Sequence, residues 1–488
     1  MEPNHPETSP VPQPEVPPAS AAPGRQLSLD VLRGAALLGG LLISVWLFGG
    51  FTTNKQYGLL SHPSGGNYRL FAAVSLLFEG KMRALIGIVF GAGIALYLGK
   101  RLQADAGKAH DYFVRRQLWL MGLGIVNGVL LLWQNDLLFH LGLMGILLLP
   151  FAQASPRALL ATSLVFMFIF CGKLFWNYSD DKTALRKYNT VLAVEKKFKA
   201  DSAARAKQDS LSHKAVAVAA NAKDSAAKKN EAKKDTLTRK QKEDKEKWEG
   251  RLKQMKYDPK ADEGSRKMMR EVSYVKLWSS TLNSTQGREA AWTYRIGVWE
   301  LGMSILLGLA LLKLGFFENN LSRRQYLLIA LAGIGIGLLC GWYRLYFQNA
   351  ALLDYGKYVK TRWLPYDILV PLERLSQAIG YASLAMWLLS VSWLGWLRTS
   401  LAACGRISLT LYLLQTIVCV LFFYGIGLNN YGNLSQWQLY LFVLEFWLVQ
   451  IVFSIFWLKF YPIGPAEWLW RCLVAKKWLP FKNYNEAA

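Results

Sequence analysis

Ten stretches of this chain are long and apolar enough to cross a bilayer, near residues 31–50, 80–99, 118–134, 136–153, 157–176, 293–314, 325–347, 366–392, 401–428 and 437–460. A hydrocarbon core about 30 Å thick needs about 20 apolar residues in a helix. Sequences such as Leu159–Trp176 and Gln438–Phe460 reach or approach that length. A soluble domain could also be 52% hydrophobic, but here the apolar residues form long blocks and the charges gather between them. The expected fold is an all-α integral membrane protein of about ten transmembrane helices.

The net charge of +24 invites a nucleic-acid reading until it is divided along the chain. Residues 178–292 hold 28 Lys+Arg and 17 Asp+Glu, and most of the remaining excess lies in short loops. Lys100, Arg101, Lys108, Arg115 and Arg116 follow the second stretch, Arg323 and Arg324 the sixth, and Lys476 and Lys477 the last. Basic residues in short loops mark the cytoplasmic side, whereas long loops cross regardless of charge. Both termini are thus expected inside, and the Gln134–Asp136 turn, the 178–292 insert and the Asn429–Gln436 loop outside. The partner implied is the lipid bilayer, not nucleic acid.

The organisation expected is a disordered cytoplasmic tail over 1–24, a five-span bundle over 25–177, the insert over 178–292, a second five-span bundle over 293–472 and a cytoplasmic tail over 473–488. The Pro-rich start lacks the basic-then-apolar layout of a cleaved signal. Cys171, Cys340, Cys404, Cys419 and Cys472 show no ligand spacing and read as buried thiols. The insert is rich in Ala, Lys and Glu with no Pro until Pro259, which predicts long solvated helices. Its apolar residues, among them Trp248 and Leu252, are too sparse for a heptad seam, so a helical hairpin or a partly disordered arm without a core of its own is expected. Its use is open between a solvated spacer and a cationic arm touching anionic lipid or polymer. Small residues recur every fourth position (Gly87, Gly91, Ala95, Gly99; Gly124, Gly128; Gly333, Gly337, Gly341), as close helix packing in lipid requires.

Charges inside apolar stretches are costly and usually face a wet cavity or a partner. Near the inner face lie Asp30 and Arg33, Arg406, and Glu467 and Arg471. Toward the outer face lie Glu79, Lys81, Arg83, Asp136, His140, Glu300, Arg344, Glu373, Arg374 and Glu445. Asp30 and Arg33, three apart, share a helix face and either pair with each other or grip an anionic headgroup. Glu79, Lys81 and Arg83 are open between snorkelling to headgroups and lining a vestibule. Asp136 and His140, one turn apart, make the best general-base constellation: a carboxylate could orient the imidazole and raise its basicity. His5, His110 and His213 are weaker candidates and His62 is a reserve. No phosphate-binding Gly-rich loop, nucleophile elbow, HExxH or paired CxxC is present, which excludes ATP-driven, serine-hydrolase and zinc readings.

The order Leu29-Asp30-Val31-Leu32-Arg33-Gly34, Phe78-Glu79-Gly80-Lys81-Met82-Arg83 before Phe90-Gly91-Ala92-Gly93, Asp136-Leu137-Leu138, then the run Gly405-Arg406 through Tyr412 to Gln415 ahead of Gly464-Pro465-Ala466-Glu467 and Arg471, resembles the YeiB-like bacterial membrane proteins. Their C-terminal part is catalogued as domain of unknown function 418. The likeness covers nearly all the apolar stretches and omits the insert. The family in turn is distantly similar to membrane acyltransferases that begin with an Asp-x-x-Arg-Gly first span. That resemblance implies a bacterial inner-membrane location and Asp30 and Arg33 near a cytoplasmic acyl donor. Many relatives carry a histidine where Asn127 stands and a tyrosine where Leu141 stands, which would move the base to His140 or remove the activity.

The function expected is transfer of an acyl group, from acyl-CoA as co-substrate with no bound cofactor and no metal, to an extracytoplasmic glycan, lipid or small metabolite. Arg33 and Arg406 would hold the donor's phosphates, with Tyr412, Gln415, Glu467 and Arg471 beside them, while Asp136 orients His140. The alternatives are a transporter or exporter of a small metabolite, for which internal repeats are lacking, and a membrane scaffold working through its insert.

Overall fold

In the computed structural model, residues 26–101, 106–217 and 237–481 are described. The segment 1–24, and residues 482–488 of the expected C-terminal tail, lie outside the described residues, as does the middle of the insert at 218–236. No strand forms among the described residues. The helices are α1 Leu27–Phe48, α2 Thr53–Leu60, α3 Gly65–Leu77, α4 Lys81–Arg101, α5 Ala106–Ile125, α6 Leu138–Leu147, α7 Pro156–Ala217, α8 Arg239–Gln254 and α9 Pro259–Met269. They continue as α10 Tyr274–Gly287, α11 Val298–Lys313, α12 Arg323–Leu353, α13 Tyr355–Thr361, α14 Val370–Leu389, α15 Gly395–Arg406, α16 Ser408–Phe423, α17 Gln436–Phe460 and α18 Pro465–Ala475.

Helix forms at each of the ten apolar stretches, yet among the described residues only six segments are long and apolar enough to cross a membrane: Leu27–Phe48, Gly65–Gly99, Pro156–Gln208, Tyr274–Lys313, Arg323–Leu353 and Gln436–Phe460. A seventh arises if Gly395–Arg406 and Ser408–Phe423, bent by 80° at Ile407, count as one broken span. The others fall short for visible reasons. α5 opens with Lys108, His110, Asp111, Arg115 and Arg116, α14 carries Glu373 and Arg374, and α6 is apolar but ten residues long.

α1, α4, α11 and α14 form the centre of the bundle, and α7, α12 and α17 lie outside it. The outer helices turn large apolar side chains outward, among them Leu164 and Phe168 on α7, Leu331 and Leu339 on α12, and Leu444 and Leu448 on α17. Such faces suit lipid rather than water. The small-residue pattern packs helices as expected: a Cβ on Gly91 would run into the backbone of Ile305 on α11, and one on Gly333 into that of Gly380 on α14. Gly99 meets nothing and contributes no such contact.

The insert departs from expectation. α7 runs unbroken for 62 residues out of the bundle, so the fifth apolar stretch and the first part of the insert, to Ala217, are one helix. α8 folds back on it through Lys245 Nζ–Glu195 Oε1 (2.6 Å), Lys187–Asp244 (3.6 Å) and an Arg251–Asp181 pair. Trp248, 1% exposed, stacks on Tyr355 of α13 and, with Tyr178 and Tyr358, closes a small aromatic core. The hairpin is therefore present, and its buried residues pack into a core only together with Tyr355, Tyr358 and Val359 of α13, which lies outside the insert. α9 also docks: Asn54 Nδ2 donates to Asp258 O (2.8 Å), and Arg266 donates to Gly432 O (2.7 Å).

Candidate functional site

At the end of the bundle that carries the basic loops, α1, α4, α5, α6, α15, α16 and α18 enclose a cavity of about 280 Å³. Four arginines reach it, one each from α1 (Arg33), α5 (Arg116), α15 (Arg406) and α18 (Arg471). Arg33 Nη1 donates to Asp30 Oδ1 (3.2 Å), so the pair expected one helical turn apart is formed. Asp30 is buried because α15 presses on α1: a Cβ on Gly405 would overlap the Asp30 carbonyl, and one on Gly34 the Leu401 carbonyl. Arg116 lies between two rings, 4.2 Å from the Trp470 centroid and 5.2 Å from that of Tyr97. Trp470 Nε1 donates to the Arg116 carbonyl (3.1 Å), tying α18 to α5. Arg406 Nη2 donates to Pro462 O (3.3 Å).

The sharp bend at Ile407 exposes the first amides of α16, and an acidic side chain fills that position. Glu467 Oε1 accepts from Leu409 N (2.7 Å) and Thr410 N (3.2 Å), and Oε2 accepts from Thr410 Oγ1 (2.5 Å). Thr410 Oγ1 accepts in return from Ala466 N (3.0 Å), so α16 and α18 cap each other. Glu467, expected as a donor-binding residue, is thus a helix cap in the cavity wall. Gln415 is displaced further: its Nε2 donates to Gln450 Oε1 (2.8 Å) between α16 and α17, away from the cavity.

Away from the arginines the walls become apolar, with Leu37, Ile86, Val89, Phe90 and Ile94, and they end at Tyr412. Tyr412 Oη donates to Asp136 Oδ1 (3.2 Å) and accepts from Leu137 N (3.1 Å). The Asp136 carboxylate also accepts from Asn127 Nδ2 (2.8 Å) and Phe139 N (2.9 Å). The expected dyad is therefore not formed: His140 Nδ1 faces the Asp136 backbone carbonyl (3.0 Å), not the carboxylate, and Nε2 faces Arg288 O (3.4 Å). Asp136 lies just before α6 starts, and its carboxylate turns to the unpaired Phe139 amide of the first turn instead of running along the helix to His140. With a carbonyl opposite each ring nitrogen, no lone pair of His140 points into open space.

Two π-helical segments, Val126–Leu130 and Arg288–Gly297, flank this point. Leu132, buried with φ +62°, makes the turn after the first, an unfavourable conformation for a bulky residue. Such wide turns and strained backbone gather where a fold builds a site. Trp292 of the second segment packs edge-on to His140 (4.8 Å) and carries Arg288 (3.5 Å) and Arg83 (5.2 Å) over its ring.

Beyond Arg83 the charges of the second cluster form a buried ion-pair network. Arg83 Nε and Arg374 Nη1 both reach Glu300 Oε1 (3.0 and 2.9 Å). Lys81 Nζ donates to Glu373 Oε1 (2.5 Å) and Ser75 O (2.7 Å), and Arg344 bonds both oxygens of Glu373 (2.9 and 3.1 Å). Glu79 accepts from Ser75 Oγ and pairs with Arg344 (3.6 Å). Lys81 is 0% exposed, which settles the snorkelling alternative against it. Glu445, counted with this group from sequence, lies apart on an exposed face of α17.

The structure brings Arg33, Arg406, Arg471, Tyr412 and Glu467 to one cavity, puts Asp136 directly behind it, and leaves Glu79, Lys81 and Arg83 in a separate cluster. Sequence reasoning missed Arg116, counted as a loop charge, and Arg288 and Trp292, assigned to the insert. For Arg116 a signal existed: it abuts the apolar run from Leu118, within reach of a helix that starts earlier.

The family described as Protein of unknown function (DUF418) matches residues 311–477, the part that supplies Arg406, Tyr412, Glu467 and Arg471. The chain is 25% identical over 464 residues to the uncharacterized protein YeiB of Escherichia coli (strain K12), covering 93% of this chain and 97% of that one. It is 42% identical over 81 residues to the uncharacterized protein YxaH of Bacillus subtilis (strain 168), covering 17% of this chain and 20% of that one. No solved structure matches the chain.

Proposed function

We propose, from the premise that this chain belongs to the YeiB-like DUF418 family, that it is an acyltransferase of the bacterial plasma membrane. It takes the acyl group from acyl-CoA on the inner side and passes it to a hydroxyl or amine of a glycan, lipid or small metabolite offered from the outer side. The observation that supports this is the convergence of Arg33, Arg116, Arg406 and Arg471 on a cavity whose walls turn apolar toward Tyr412. A ligand suited to it has several negative charges at one end and a long uncharged arm, which is the form of a CoA thioester.

The reading includes both termini in the cytoplasm and ten crossings, with short and broken helices counted, so that the arginines open inward. The acceptor O–H or N–H attacks the thioester carbonyl carbon, the C–S bond breaks, and the CoA thiolate leaves. Asp136 takes the acceptor's proton through the Tyr412 hydroxyl and returns it to the thiolate. His140 assists from the acceptor side by giving up its 3.4 Å contact to Arg288 O.

The test is purified protein in lipid nanodiscs with labelled acetyl-CoA and a panel of amines, sugars and lipids. Label should move to one acceptor class, and Asp136→Asn should lower the rate by roughly 10²- to 10⁴-fold. Absence of both CoA binding and transfer across the panel overturns the reading. Movement of an acceptor across liposomes without any thioester replaces it with the export reading.

A further inference from the structure

Next to the arginine cavity, and sharing Arg406 with it, α1, α15 and α17 border an open cleft of about 590 Å³. We propose that this cleft binds an anionic phospholipid, with the phosphate among Arg398, Arg406 and Lys459 and the acyl chains along the outward face of α17. Neither the cleft nor its test depends on acyl transfer being the activity.

Helical spacing builds the walls. Arg398, Ala402 and Arg406 follow one another four apart on α15 and so share a face, with the small alanine leaving room between two guanidiniums. Ile455, Leu458 and Lys459 share a face of α17 by the same spacing, and Leu27 and Asp30 of α1 close the third side. Three cations therefore meet one carboxylate, and that carboxylate is spoken for: Asp30 is buried and pairs with Arg33 at 3.2 Å. Counting the adjoining arginine cavity as well widens the excess, since the two linings together hold six cations and two carboxylates, Asp30 and Glu467. Among the described residues, neither Arg398 nor Lys459 makes an ion pair or a side-chain hydrogen bond.

Positive charge alone would suit any anion, and the surroundings narrow the choice. Beside Lys459, α17 exposes Val452, Phe456 and Phe460, and just ahead of Arg398 the chain exposes Trp393 and Trp396. Tryptophans at this position suit the headgroup level of a bilayer, and a bare apolar strip suits hydrocarbon. A soluble phosphate would use the cations and leave that strip uncovered. A zwitterionic headgroup would bring a further cation to a cleft that already has an excess of them. A lipid whose head carries net negative charge satisfies both surfaces at once, as basic pockets between membrane helices do for such headgroups.

The experiment is native mass spectrometry of the full chain in an uncharged detergent, titrated with dioleoyl phosphatidylglycerol or with dioleoyl phosphatidylcholine. The first phosphatidylglycerol should bind about tenfold more tightly than the first phosphatidylcholine. Arg398→Gln and Lys459→Gln should each weaken it about fivefold, as expected for one cation near a lipid phosphate. Arg324→Gln removes a positive charge from an exposed position outside the cleft and should leave the affinity unchanged. Glycerol 1-phosphate, the same phosphoester without chains, should not displace the lipid. Monodisperse elution establishes that each variant is folded, and each cleft variant is a test by itself. Equal affinity for the two lipids, unchanged affinity in the folded cleft variants, or an equal loss in Arg324→Gln overturns the proposal. Displacement by glycerol 1-phosphate also overturns it, because the cleft would then be a site for a soluble phosphoester. Selective phosphatidylglycerol binding without any acyl transfer leaves the cleft standing and removes the acyltransferase reading alone.

Discussion

Replacing Glu373 by Gln should destabilise the bundle far more than its small change of shape suggests. Glu373 is 1% exposed and neutralises two cations at once, Lys81 through one bond of 2.5 Å and Arg344 through two of 2.9 and 3.1 Å. A glutamine offers one acceptor in place of two and turns an N–H₂ toward a group that is itself only a donor. Lys81, 0% exposed, then keeps only the Ser75 carbonyl at 2.7 Å. Stranding a buried charge in this way costs about 3–5 kcal/mol, or roughly two to nearly four orders of magnitude in the unfolding equilibrium. Lys81→Met alone should cost less, about 1–3 kcal/mol, because Glu373 retains Arg344. In the double variant no lysine is left stranded and Arg344 retains Glu79, so the cost should fall below the sum by about 1–3 kcal/mol. Unfolding of purified protein in mixed micelles over an SDS titration measures all three. Single-variant costs that add to within about 0.5 kcal/mol would mean that the two side chains act independently, and would refute the network as described.

Arg116→Gln should weaken CoA binding by about ten- to hundredfold and reduce its salt dependence, as read by equilibrium dialysis at two ionic strengths; unchanged affinity would exclude Arg116 from the anion site. Trp248→Ala should cost the α7–α8 hairpin about 3–5 kcal/mol and speed hydrogen exchange in Arg239–Gln254 while leaving α1 and α11 protected; uniform exchange across the chain would deny the aromatic core its local role. Asn127→His should place an imidazole against the Asp136 carboxylate, which Asn127 now meets at 2.8 Å, and raise acyl transfer above that of the parent; an inert variant with Asp136 unaltered would separate that position from the chemistry.

Much of the fold was legible because its signal is one-dimensional. An apolar run declares a helix without reference to any neighbour, and helix is present at all ten stretches. The Asp30–Arg33 pair was legible for the same reason, since both members lie on one helix three residues apart. What escaped depended on where one-dimensional spacing stops. Asp136 and His140 are four apart, but the helix begins between them at Leu138, so the carboxylate answers to backbone amides. Glu467 lies in the wall of the arginine cavity, and only the bend at Ile407 shows that it spends its oxygens on α16. Trp248 looked isolated because its stacking partner, Tyr355, lies more than a hundred residues downstream. Arg116 was hidden by a boundary: α5 starts at Ala106, which draws a nominal loop charge into the wall of a cavity.

The continuity of α7 has a consequence of its own. Beyond Trp176, where its apolar stretch ends, the remaining 41 residues to Ala217 extend roughly 60 Å at 1.5 Å per residue. A shaft of that length, gripped near its foot by α8 and α13, works as a ruler: whatever its far end touches is kept at a set stand-off from the lipid surface. Shortening it by whole turns should draw that contact inward in steps of about 5.4 Å without rotating its face.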